Sequence, residues 1–224
     1  MSKKSISVIT GASSGLGKCL LESFSVSYDI INISRTKSSS KYNIISNFND
    51  LLDLNQKLEM KNFKHDLCIL NAGTMGTIGL ASDISHIEFM EAFKTNVLAN
   101  KIIIDWSISN GCKNFIGISS GAAIKNYHGW LNYCVSKSAF RSMFLQYQKD
   151  LTKLNFILIS PGILRTNMNK KIKDLNVDLY PEMIKFHKTP AVDPKKASDL
   201  IYQNYQKFFK VDKLEFDLRN EVEW

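Results

Sequence analysis

The chain has 224 residues, 44% of them hydrophobic, enough for one substantial core and too few for two full α/β domains. No apolar run reaches about 18 residues, so no membrane span is expected. The start, Met1-Ser2-Lys3-Lys4-Ser5, passes directly into an apolar strand pattern without the long apolar stretch of a signal peptide, and a cytoplasmic protein is expected. The net charge of +8 comes from 25 lysines and four arginines spread along the chain. That distribution predicts a solvated basic surface rather than a nucleic-acid stripe, so no nucleic-acid partner is expected. Cys19, Cys68, Cys112 and Cys134 lie far apart, and the histidines are scattered; neither a disulfide framework nor a metal site is expected.

Short apolar runs alternate with helix-period stretches in chain order. Residues 5–10 read as a first strand, 15–27 as a helix opening at glycines, and 29–34 as a second strand. A polar loop over 37–41 leads to a short strand at 42–46 and a helix at 49–60. Residues 66–70 form a fourth strand, 86–110 a long helix broken near its start, and 114–119 a fifth strand. A second long helix covers 131–154, a sixth strand 156–160, and a final packing helix 194–209; residues 167–188 are polar with scattered apolar positions. This alternation predicts a single-domain α/β fold, a Rossmann-like doubly wound parallel sheet over residues 1–224.

The first strand ends in Thr10-Gly11-Ala12-Ser13-Ser14-Gly15-Leu16-Gly17. Glycines at such a strand-to-helix turn let the backbone approach a phosphate, and the helix N-terminus offers unpaired N–H groups and a positive dipole end. The second strand ends Ser34-Arg35-Thr36 with no carboxylate to hold a ribose 2′-hydroxyl. A planar guanidinium suits phosphate, so NADP(H) is expected over NAD(H), with Arg35 the main determinant and Ser34 and Thr36 its hydrogen-bonding neighbours.

Tyr133 and Lys137 stand at i, i+4 in Tyr133-Cys134-Val135-Ser136-Lys137, one face of a helix. A tyrosine acid/base near neutrality needs a pKa shift of roughly three units from about 10, or about 4 kcal/mol. An ammonium at about 4 Å supplies roughly that at an effective dielectric near 20. Ser120, at a strand end, can donate a hydrogen bond to a substrate carbonyl.

With these motifs in this order, the chain resembles the short-chain dehydrogenase/reductase family, in its compact branch with T-G-x-x-x-G-x-G and Y-x-x-x-K, over roughly residues 5–167. The resemblance implies that Gly11, Ser13, Ser14, Gly15, Leu16 and Gly17 form the cofactor loop, with Asn71-Ala72-Gly73 beside the cofactor, although Leu70 replaces the usual preceding asparagine. Asn96 falls where the family's asparagine holds a helix kink and a relay water. Ser120, Tyr133 and Lys137 match the polarising serine, the acid/base tyrosine, and the lysine that also binds nicotinamide ribose. Pro161, Gly162, Ile163 and Thr166 match the segment capping the nicotinamide.

Residues 166–190 fall where a substrate lid is expected, carrying Met168, Leu175, Leu179, Tyr180, Met183 and Phe186. His128 and Trp130 precede the tyrosine's helix where relatives often touch substrate, and Asn47 falls near the adenine end. The glycine-rich strand that usually follows the last helix is missing from residues 208–217, so a homodimer through the two long helices is expected rather than a tetramer. The expected activity is NADP(H)-dependent interconversion of a carbonyl and an alcohol, with a loose likeness to the benzil/sepiapterin-type carbonyl reductases. A sugar or hydroxy-lipid dehydrogenase, or a non-catalytic NADP-binding regulator, remains open on sequence alone.

Overall fold

Strand β1, Ser5–Thr10, is buried over its last four residues, as a central strand with helices on both faces must be. The computed structural model describes residues 4–221; residues 1–3 of the charged start and 222–224 of the charged tail lie outside the described residues. After β1 come α1 (Gly15–Phe24), β2 (Tyr28–Ser34), β3 (Tyr42–Ile45), α2 (Leu51–Glu59) and β4 (Leu67–Leu70). The next segment is α3 (His86–Phe93), a π-helical turn (Lys94–Leu98) and α4 (Ala99–Ser109). Then follow β5 (Asn114–Ile118), α5 (Leu131–Asp150), β6 (Asn155–Ser160), α6 (Asn167–Lys173), α7 (Ile184–Lys188), α8 (Pro194–Phe208), β7 (Glu215–Asp217) and α9 (Leu218–Glu221).

The strands form one parallel seven-stranded sheet in the order β3-β2-β1-β4-β5-β6-β7. The order reverses between β1 and β4, and ligands of such sheets bind outside the carboxyl ends of the strands at that point. On one face α2, α4 and α5 pack Leu54, Ile103, Phe140 and Phe144 against the strands; on the other α1 and α8 pack Leu20, Phe24, Ile201 and Phe208. Burying each such side chain stabilises the fold by about 1.5–3 kcal/mol. Gly117 of β5 seats α5: a methyl group there would lie 2.9 Å from Phe144 and 3.0 Å from Phe140. Without it, both rings rest directly on the sheet.

The expected strands form within a residue or so of their expected bounds, and several helices differ. Helix α1 ends at Phe24, and Ser27 lies in the turn beyond it. The expected 86–110 helix is interrupted by the π turn, and α5 ends at Asp150. The polar 167–188 stretch holds α6 and α7. After the last helix a short strand does form, although not a glycine-rich one. β7 pairs in parallel with β6, and Arg141 of α5 forms an ion pair with its Glu215. Only Phe216 of its three residues is buried, too little apolar pattern to mark a strand, and no glycine is involved.

Candidate functional site

Thr10 fixes the start of the site. Its Oγ1 accepts hydrogen bonds from the backbone N–H groups of Asn71 and Ala72, both at 2.9 Å, and Asn71 Nδ2 donates to the Thr10 carbonyl at 3.0 Å. These bonds tie the end of β1 to the end of β4. The glycine loop turns tightly above them. Gly11 has φ +69°, and a methyl group on Gly17 would lie 2.1 Å from the Gly11 carbonyl oxygen. Ser14 is the extended N-cap of α1, its side chain makes no capping bond, and no acidic residue stands in the first turn. The helix end therefore presents N–H groups and positive dipole without an internal anion.

A cleft of about 1790 Å³ opens over this loop. Gly11, Ser13, Ser14, Gly15, Leu16 and Gly17 line it, with Ser34, Arg35 and Thr36. Asn71, Ala72 and Gly73 line it as well, as do Ser120, Tyr133 and Lys137 and the segment with Pro161, Gly162, Ile163 and Thr166. Asn47 lines it too. A methyl on Gly15 would lie 3.7 Å from Thr166 Cγ2, so the segment after β6 reaches across to the glycine loop. A backbone cradle that side chains would fill, an uncapped helix end and an elongated cleft together fit a dinucleotide.

Asn32 organises the turn after β2, a role its sequence position did not advertise. It is fully buried; Oδ1 accepts from Ala12 N at 3.1 Å, and Nδ2 donates to Ser34 Oγ and Asn43 Oδ1, both at 2.9 Å. Ser34 Oγ donates to the Thr36 carbonyl at 2.6 Å, so Ser34 shapes the turn from within. Arg35 is exposed on the cleft wall and forms no ion pair among the described residues.

Ser120 caps the 3₁₀ turn Gly121–Ala123, its Oγ accepting from Ala122 N at 3.2 Å. Burial raises the Tyr133 phenol pKa, and the neighbouring Ser120 hydroxyl pulls it back down. Lys137, one turn along α5, is 6% exposed and donates from Nζ to the Ile118 carbonyl at 2.9 Å. Burial pushes its ammonium down to about 8. Its Nζ lies 5.9 Å from the Tyr133 ring centroid.

Asn96 is 1% exposed and stands behind the cleft wall, inside the π turn. Its Oδ1 accepts from Thr74 N, and its Nδ2 donates to the Thr74 carbonyl and to Ser136 Oγ, each at 2.8 Å. Asn100 Nδ2 donates to the Asn96 carbonyl, also at 2.8 Å. A methyl on Gly73 would lie 3.2 Å from Asn96 Oδ1 and 3.7 Å from Lys137 Nζ. The π turn thus locks the chain after β4 to the helix carrying Tyr133. Such turns recur at functional sites.

Tyr127, Trp130 and Phe186 form an aromatic wall, with centroids 4.9 Å apart for Tyr127–Trp130, 5.1 Å for Trp130–Phe186 and 5.9 Å for Trp130–Tyr133. Met168 lines the cleft, Met183 is fully buried beneath the segment, and Leu175 and Tyr180 pack against the same cluster. Leu179 is exposed to solvent. His128 is outside the cleft lining; its ring packs at a tilt against Tyr180, centroids 5.5 Å apart, and its backbone N–H donates to Glu182. Tyr127 and Asn169 also line the cleft, and no spacing signal in the sequence marked either.

The doubly wound parallel sheet and the contents of its cleft define a nucleotide-dependent oxidoreductase class. The short chain dehydrogenase family matches residues 42–176, and the chain belongs to that family. Among similar curated proteins, benzil reductase ((S)-benzoin forming) of Bacillus subtilis is 25% identical over 215 residues, covering 87% of this chain and 88% of that protein. Benzil reductase ((S)-benzoin forming) IRC24 of Saccharomyces cerevisiae is 25% identical over 233 residues, covering 88% of each. Among solved structures, the KRED1-Pglu enzyme superposes with a TM-score of 0.80 at 16% identity, covering 95% of this chain and all of that one.

Proposed function

We propose that the protein is an NADP(H)-dependent carbonyl reductase acting on an aromatic ketone, with Tyr133 as the acid/base. The observation that carries this reading is the meeting of Ser120, Tyr133 and Lys137 in one cleft with a glycine-rich helix N-terminus. The glycine loop and α1 hold the pyrophosphate, Arg35 the 2′-phosphate, and Pro161 to Thr166 the nicotinamide. When bound, the cofactor supplies or accepts hydride at the substrate carbon. Ser120 donates a hydrogen bond to the substrate oxygen, and Tyr133 delivers its proton there. The buried Lys137 holds the ribose and favours the resulting phenolate, and Asn96 fixes the backbone along which a proton returns. The aromatic wall and the benzil reductases among the similar proteins favour an aromatic ketone over a sugar or lipid alcohol.

Residues 166–190 act as the substrate cover, their apolar side chains facing the aromatic wall. The homodimer reading rests on α3 and α5, which leave Ile87, Met90 and Val135 exposed. Sedimentation of the pure protein as a monomer would remove it.

The test follows reduced-nicotinamide absorbance with NADPH, and separately NADH, over α-diketones, quinones, pteridines and keto-sugars, for wild type and Tyr133→Phe. Turnover with NADPH on an aromatic ketone, abolished in Tyr133→Phe while NADPH affinity stays within about twofold, is expected; retained turnover in that variant refutes the mechanism.

A further inference from the structure

The loop between β2 and β3 has a sequence with no means of holding a shape by itself. Residues 35–41, Arg35-Thr36-Lys37-Ser38-Ser39-Ser40-Lys41, carry three cations and no hydrophobic residue. Two asparagines outside the loop hold it instead. Asn32 of β2 and Asn43 of β3 are paired across the parallel strands, so their side chains share one face of the sheet. Asn32 Nδ2 donates to Asn43 Oδ1 at 2.9 Å. Asn43 spends the rest of its amide on the loop. Its Oδ1 also accepts from Ser38 N at 2.9 Å and Ser38 Oγ at 3.3 Å, and its Nδ2 donates to the carbonyls of Ser40 at 3.2 Å and Ser38 at 3.4 Å. Asn32 Nδ2 donates further to the Thr36 carbonyl at 3.3 Å, which Ser34 Oγ reaches as well. Since Asn32 Oδ1 accepts the Ala12 N–H, one connected set of amide bonds runs from the glycine loop to the residues on both sides of Arg35.

We propose that Asn43, acting through Asn32 and the backbone of residues 36–40, is a positioning residue for cofactor selectivity. It holds the loop in the shape that presents Arg35 to the cofactor's 2′-phosphate. This role rests on the NADP(H) reading above. Arg35 has no side-chain hydrogen bond or ion pair among the described residues, so its place on the cleft wall is set through the chain on either side of it. A loop already ordered in the free protein loses little further freedom on binding, and a preorganised site binds more tightly than a mobile one with the same contacts. NADH lacks the group that Arg35 meets, so the brace acts on the binding of NADPH alone.

The experiment measures Kd for NADPH and for NADH by titration calorimetry in wild type, Asn43→Ala, Arg35→Ala and the double variant, with melting temperatures alongside. Asn43→Ala is expected to shrink the preference for NADPH over NADH about 10-fold, through weaker NADPH binding, with Kd for NADH within about twofold of wild type. In the Arg35→Ala background the same substitution is expected to leave the preference within about twofold, because a loop without its guanidinium has nothing to position. An unchanged preference in Asn43→Ala, an equal loss for both cofactors, or losses that simply add in the double variant would overturn the positioning role while leaving the NADP(H) reading intact.

A wild type that binds NADH as tightly as NADPH, or more tightly, refutes the NADP(H) reading itself, and the positioning role falls with it. Should Asn43→Ala fail to fold, Asn43→Ser carries the same comparison, since a serine hydroxyl is too short to bridge Asn32 and Ser40.

Discussion

Lys137 carries the largest electrostatic cost in the site, and that cost depends on pH in a way that can be isolated. Its folded pKa is depressed from 10.5 to about 8 by burial alone. Below about pH 8 both folded and unfolded chains hold the proton, and the full penalty of a buried ammonium is present. Between about pH 8 and about pH 10.5 the unfolded chain binds more protons than the folded one, so stability rises with pH. The whole shift amounts to about 3 kcal/mol at roughly 1.36 kcal/mol per pKa unit. Between about pH 7.5 and about pH 9.5 linkage gives a gain of about 2 kcal/mol. Lys137→Met keeps the apolar stem of the side chain and removes the titrating group. Urea unfolding of wild type and variant at both pH values yields a difference free of the other ionisable groups. That difference should move by about 2 kcal/mol in favour of wild type as pH rises. Parallel pH dependence in the two proteins would refute the claim that burial depresses this lysine.

Other expectations follow from the same geometry. Arg35→Asp removes the guanidinium on the cleft wall and adds a carboxylate at the end of β2; losing charge-assisted hydrogen bonds worth about 1.5–3 kcal/mol should raise KM for NADPH about 10- to 100-fold while KM for NADH falls. An unaltered cofactor preference would sink the assignment. Gly17→Ala places a methyl 2.1 Å from the Gly11 carbonyl oxygen and 2.6 Å from Asn71 Nδ2, so it should cost at least about 2 kcal/mol and abolish NADPH binding. A wild-type melting temperature together with retained fluorescence of bound NADPH would contradict the tight-turn account.

Where burial on both faces of the sheet demanded apolar runs, as in β1, β2 and β6, the strands were legible in the sequence. So was the gathering of Ser120, Tyr133 and Lys137, because a strand end and a helix spacing of four fix relative position without knowledge of the rest. β7 was not legible, since a three-residue strand with one buried side chain leaves no periodicity. The burial of Lys137 was not legible for a related reason. Spacing places an ammonium on the right face of a helix, but its charge state depends on burial and on a bond to Ile118 that a linear pattern does not carry. Asn32 went unmarked because its role arises from partners elsewhere in the chain.

Gly129, with φ +80°, sits just before α5, and a methyl there would lie 2.4 Å from the Tyr180 ring. Tyr180 belongs to the segment proposed above as the substrate cover, and the His128 backbone N–H donates to Glu182 of the same segment. The loop that leads into the first turn of α5, and so to Tyr133, is thus in contact with that segment at two points. On the proposed reading, access of the substrate and alignment of Tyr133 share one mechanical coordinate.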